Sequence, residues 1–103
     1  MLDLDGTQIS AEEAELLAHP VTGAVILFSR NIEEPEQVRA LCEDIRKKAK
    51  RDLLIAVDQE GGRVQRLKTG YSLLPSMNDI GAVNANGSAV LRAEQLGWLM
   101  AAE

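Results

Sequence analysis

The stretch Asp58-Gln59-Glu60-Gly61-Gly62-Arg63-Val64-Gln65-Arg66 gathers carboxylates, guanidinium groups and paired glycines within a few positions. A carboxylate accepts from ligand hydroxyls, and an arginine offers a rigid fork of donors to an oxygen-rich ligand. Two adjacent glycines let the backbone turn sharply or approach a ligand closely. Asp58 and Arg66 are the candidate binding groups, with Arg63 a further donor. Glu60 reads as a structural partner for Arg63 or Arg66. A smaller polar cluster, Ser29-Arg30-Asn31, is the second candidate spot.

Other residue types carry less. Gly61-Gly62 fits neither the dinucleotide glycine fingerprint nor the P-loop, and no Lys-Ser/Thr pair follows, although a small phosphate-binding α/β module stays open as an alternative. One cysteine and one histidine supply no metal-ligand cluster. His19 precedes Pro20 and reads as a helix-end residue. Cys42 lies on an apolar helical face, Arg46 to Arg51 reads as a solvated helix end, and Trp98 and Met100 read as packing residues.

The elements around these residues follow from periodicity. Residues 1 to 5 suggest a short strand ending at Gly6. Ser10 and Glu13 have capping-box spacing, so a helix is predicted from Ala11 to Ala18, stopped by His19-Pro20. Gly23 to Phe28 and Leu53 to Val57 are apolar runs without alternation, the pattern of strands buried on both faces of a parallel sheet. Between them Pro35 suits a first helical position, and Val38, Leu41, Cys42, Ile45 and Ala49 share one face. Residues 67 to 87 read as loop. Ser88 is placed to cap a last helix whose face is Ala89, Ala93, Leu96, Gly97 and Met100. That helix shows no stop signal.

The order is strand, helix, strand, helix, strand, loop, helix, which predicts an α/β fold of about three parallel strands with intervening helices. In such folds ligands bind beyond the carboxyl ends of the strands, where Asp58 falls. A three-stranded sheet would leave two exposed apolar edges, so the expected unit is the opening segment of a larger α/β protein.

Composition narrows the function classes. The 103 residues carry 11 Lys and Arg against 16 Asp and Glu, a net charge of −5, and are 46% hydrophobic and 26% charged. That is the composition of a globular chain. An acidic balance disfavours nucleic-acid binding. No apolar run approaches the roughly 20 residues of a membrane span, and the acidic start argues against a signal peptide. A single cysteine is simplest to place in a reducing cytoplasm.

The segment Ala56-Val57-Asp58-Gln59-Glu60-Gly61-Gly62-Arg63-Val64-Gln65-Arg66-Leu67 resembles the signature after a barrel strand in bacterial β-N-acetylhexosaminidases of glycoside hydrolase family 3. Supporting stretches are His19-Pro20 before Gly23 to Asn31, then Leu74-Pro75, and Gly97 to Ala101. The resemblance implies that residues 1–103 are the N-terminal portion of a (β/α)₈ TIM barrel of roughly three hundred residues. It implies a cytoplasmic enzyme without metal or organic cofactor. Its activity would be removal of terminal N-acetylglucosamine from peptidoglycan fragments during cell-wall recycling. Asp58 matches the family's aspartate that binds hydroxyls of the non-reducing sugar, and Arg66 a substrate-contacting arginine. A retaining glycosidase needs a nucleophile and an acid/base about 5 Å apart. In the family these are a late-strand aspartate and a histidine in a Lys-His-Phe-Pro-Gly-His-Gly loop, and neither motif occurs here. The resemblance therefore implies part of a substrate site, no catalytic residue, and an isolated chain without activity.

Overall fold

The computed structural model describes residues 1–82 and 88–103. They form two compact units, Met1–Asp58 and Gln59–Glu103. In the first, helix α1 (Ala11–Ala18) precedes strand β1 (Ala24–Leu27), a 3₁₀ turn (Ser29–Asn31), helix α2 (Pro35–Ala49) and strand β2 (Leu54–Val57).

Helix α1 starts as its spacing predicts. Ser10 Oγ accepts from the Glu13 N–H, and the Glu13 carboxylate accepts from the Ser10 N–H at 2.7 Å. The same carboxylate also accepts from the Asp5 N–H at 2.8 Å, so a buried charge ties the first segment to the helix. At the other end His19 is the C-cap, and its Nδ1 accepts from the Val21 N–H. Helix α2 carries Pro35 at its start and Arg46, Lys47 and Lys48 in its last turn, each charge matched to the dipole.

Strands β1 and β2 pair in parallel, Ala24 with Leu54 through Leu27 with Val57. The expected first strand does not extend this sheet. Leu2 makes a single parallel bridge to Val25, and the Leu4 carbonyl is taken by the side chains of Arg30 and Asn31 instead of by a strand. Three parallel strands thus reduce to a two-stranded ladder with one added bridge. The core joins Leu4, Leu17, Val25, Leu27, Leu41, Ile45, Ala49 and Leu53, with Cys42 packed at its margin.

The expectation of burial on both faces holds for β1 and fails for β2. Leu54 is 74% exposed, and Ile55, Ala56 and Val57 are only half-buried. Helices α1 and α2 supply the cover for one face.

Arg51 also departs from its expected solvated role. Its guanidinium donates to the carbonyls of Ala18, His19, Thr22 and Ala49, which joins the end of α1 to the connection after α2. Five fixed donors suit such a cluster of carbonyls, which lysine would not satisfy.

The second unit holds strands β3 (Gln59–Gly61) and β4 (Val64–Gln65), then helices α3 (Met77–Ala82) and α4 (Ser88–Ala102). Helix α3 falls inside the stretch expected to be loop. Ser76 begins it, its Oγ accepting from the Asp79 N–H and donating to the Asp79 carboxylate at 2.6 Å. The Ser76-x-x-Asp79 spacing is the signal for it. The portion of that loop at 83–87 lies outside the described residues.

Ser88 is the first helical residue of α4 rather than a residue before it. The predicted packing face of α4 is not buried: no residue of this helix is, Trp98 is 73% exposed, and Met100 is exposed as well. The helix end is held instead by Glu103, whose carboxylate accepts from the Ser72 N–H and hydroxyl. Among the described residues no helix is long and apolar enough to cross a membrane.

Candidate functional site

Parallel pairing brings the carboxyl ends of β1 and β2 to one edge. Their ladder ends at Leu27 and Val57, so Phe28 and Asp58 leave it side by side. Asp58 is half-buried there, directly beyond the last strand residue, as the sequence predicts.

The neighbouring cluster Ser29-Arg30-Asn31 is a structural latch. Asn31 is fully buried, its Nδ2 donating to the carbonyls of Leu4 and Gly6 at 2.8 Å and its Oδ1 accepting from the Phe28 N–H at 2.8 Å. Arg30 pairs with Asp3, donates to the Leu4 carbonyl, and lies over the Phe28 ring at 4.9 Å from its centroid. These bonds satisfy backbone groups of the first segment, so the cluster braces the strand-end edge.

The rest of the signature folds as an antiparallel hairpin. Gln59 pairs with Gln65 and Gly61 with Val64, with an irregularity between the two pairs. The two-residue turn is Gly62-Arg63, with glycine first at φ +57°. Gly61 is at φ +78°, and a Cβ built there would lie 2.2 Å from the Pro75 carbonyl oxygen. The glycines therefore serve a backbone close approach inside the protein. Gly62 donates its N–H to the Leu74 carbonyl at 2.9 Å, and a strand rather than a helix follows. That removes the alternative of a phosphate-binding module, which needs a free amide nest opening a helix.

Two glutamines build the floor of this unit. Gln65, 2% exposed, donates to the carbonyls of Leu67 and Ser72 and accepts from the Leu74 N–H. Gln59 accepts from the N–H groups of Arg66 and Leu67, both at 3.1 Å. Arg66, half-buried just beyond β4, is thereby held through its backbone, whereas Arg63 at the turn is exposed. Glu60 is exposed and makes no ion pair with Arg63 among the described residues. A groove of about 250 Å³ beside the turn is lined by Glu60, Gly61, Arg63, Val64, Ser76, Met77 and Asn78.

Sequence reasoning passed over Gln59, Gln65 and the buried role of Asn31, because an amide side chain carries no periodicity signal. The Gly-Gly pair flanked by short polar-apolar runs was the available sign of a hairpin. Cys42 is half-buried in the core margin. Burial raises its thiol pKa above the ordinary value, and the nearby Arg46 charge lowers it by less. Among the described residues no group of three or more His, Cys, Asp or Glu side chains is placed to hold a metal.

Comparison with known proteins gives consistent results. The profile of the glycosyl hydrolase family 3 N terminal domain matches residues 1–103. A beta-hexosaminidase of Pseudomonas aeruginosa is 53% identical over 103 residues, covering 100% of this chain and 30% of that protein. One from Mannheimia succiniciproducens is 50% identical over 104 residues, with the same coverages of 100% and 30%. The crystal structure of NagZ from Neisseria gonorrhoeae in complex with N-trifluoroacetyl-D-glucosamine matches with a TM-score of 0.92 at 38% identity, over 98% of this chain and 31% of that one. The chain thus spans about 30% of the length of the curated relatives it matches.

Proposed function

The chain belongs to glycosyl hydrolase family 3, and we propose that it forms the N-terminal part of a (β/α)₈ catalytic barrel in a β-N-acetylhexosaminidase. The full enzyme would remove terminal, non-reducing N-acetylglucosamine from peptidoglycan fragments in the cytoplasm, as a step in cell-wall recycling. The observation that carries this reading is identity near 50% to beta-hexosaminidases across the whole chain. Two features support it. Asp58 stands at the carboxyl end of a parallel strand, where barrel enzymes bind substrate. The apolar run of β2 has an uncovered face, with Leu54 outermost, as a strand awaiting further barrel layers would. The Neisseria relative's complex with an N-acylated glucosamine agrees with the sugar class.

In this role Asp58 accepts hydrogen bonds from two hydroxyls of the terminal ring, and Arg66 donates to the same ring. Neither residue performs bond cleavage. The anomeric carbon of the ring so held would be attacked by a carboxylate outside these residues while an acid, also outside them, protonates the departing glycosidic oxygen, giving a glycosyl-enzyme that water then hydrolyses with retention. Residues 1–103 alone then have no turnover.

The test is steady-state hydrolysis of a chromogenic N-acetylglucosaminide. The isolated chain is expected to match a buffer blank. In the complete protein, Asp58→Ala removes two charge-assisted bonds worth about 1.5–3 kcal/mol each. The expected loss in kcat/KM is on the order of 10²–10⁴-fold. Enzyme-like turnover by the isolated chain, or wild-type kcat/KM in Asp58→Ala, refutes the reading.

A further inference from the structure

The hairpin ladder ends at Gln65. Beyond it the backbone amides of Arg66 and Leu67 have no strand opposite them, and one side chain takes the strand's place. Gln59 Oε1 accepts from both amides at 3.1 Å, and Gln59 Nε2 donates to the Leu67 carbonyl at 3.1 Å. The two amides belong to the peptide planes on either side of the Arg66 Cα. Holding both planes fixes φ and ψ at Arg66, and with them the direction of its Cα–Cβ bond. An arginine side chain is long, so a small rotation at its base moves the guanidinium by ångströms.

We propose that Gln59 is a positioning residue for Arg66, setting the direction from which its guanidinium meets the sugar. This rests on the reading of Arg66 as a sugar-contacting group. The division of labour between the glutamines supports it. Gln65 is buried and binds Leu67, Ser72 and Leu74, so it holds the unit together. Gln59 is half-buried and spends its side-chain bonds on residues 66 and 67. The Leu67 carbonyl keeps Gln65 as a donor when Gln59 is changed. Altering Gln59 therefore loosens the backbone on both sides of the Arg66 Cα without dismantling its surroundings.

The substitutions are read in the complete hydrolase. Gln59→Met keeps the length of the side chain and removes the acceptor. Gln59→Glu keeps an acceptor for both amides, but while ionised it turns an anionic oxygen toward the Leu67 carbonyl in place of the Nε2 donor. Gln59→Met is expected to raise KM for the chromogenic N-acetylglucosaminide roughly ten- to hundredfold, with kcat less affected and faster hydrogen exchange at Arg66 and Leu67. Gln59→Glu is expected to recover part of the KM lost in Gln59→Met. Its KM relative to wild type should fall at acidic pH, as the introduced carboxylate protonates, keeps its carbonyl oxygen for both amides and donates its O–H to the Leu67 carbonyl as Nε2 does. That pH dependence is read in a folded protein even if Gln59→Met fails to fold. Arg66→Lys separates the two layers of the argument. A wild-type KM in Arg66→Lys overturns the sugar-contact reading and the positioning role with it. A raised KM in Arg66→Lys with an unchanged KM in Gln59→Met overturns the positioning role alone. So does a Gln59→Glu variant that neither rescues KM nor shows the acid dependence.

Discussion

Replacing Asn31 by alanine should destabilise the protein by more than any exposed asparagine does. Asn31 is fully buried and makes three side-chain hydrogen bonds. The Leu4 carbonyl would keep Arg30 Nε as a donor at 2.8 Å. The Phe28 N–H and the Gly6 carbonyl would lose Asn31 as a partner. An orphaned buried polar group costs about 1–3 kcal/mol, and Gly6 is partly exposed, so water offsets some of its loss. With the small cavity added, the expected destabilisation is about 2–4 kcal/mol, a large share of the 5–15 kcal/mol typical of a domain. The assay is urea unfolding of the complete protein followed by far-ultraviolet circular dichroism, with Asn78→Ala in exposed α3 as the control. Asn31→Asp sharpens the test. It keeps an acceptor for Phe28 but turns an anionic oxygen toward two carbonyls, so it should lose at least as much. A change below about 1 kcal/mol in Asn31→Ala, with unchanged m-value, refutes the claim that this latch holds the first segment.

Two further outcomes follow from the geometry. Gly61→Ala combines a left-handed backbone with a Cβ placed 2.2 Å from the Pro75 oxygen, so a loss of about 2–5 kcal/mol is expected in the same unfolding assay. Gly62→Ala, which meets the Ser76 Cβ at 2.9 Å, should cost less. For Glu13, desolvation raises the carboxyl pKa, but hydrogen bonds from the Ser10 and Asp5 amides and the Ser10 hydroxyl outweigh it, and the folded pKa lies below the ordinary value. Its contribution to stability is therefore present above the usual carboxylate range and fades as pH falls through the lowered pKa. Glu13→Gln should be less stable at neutral pH and show a flatter acid limb. An acid limb identical to wild type would contradict the linkage.

Much of this protein could be read from its residues alone, and for local reasons. The capping box at Ser10 and Glu13, Pro35 at a first turn and the i, i+3, i+4, i+7 spacing of Val38, Leu41, Cys42 and Ile45 act within a few positions, so α1 and α2 lie where periodicity puts them. The apolar runs at Ala24 and Leu54 likewise announce parallel pairing, since neither alternates. The position of Asp58 at a strand end follows from counting along the second run. What the residues could not announce was how polar side chains would substitute for missing strands. Asn31 and Arg30 take the Leu4 carbonyl and so cut short the first strand, while Gln59 and Gln65 complete a hairpin to which patterning assigns no element. Each of these bonds joins groups whose partnership depends on where the backbone has already gone, and an amide has no period to betray it. Likewise the exposure of Leu54 and Trp98 belongs to the packing of whole elements. An apolar side chain records a preference for burial, but only the arrangement of its neighbours decides whether anything is there to cover it.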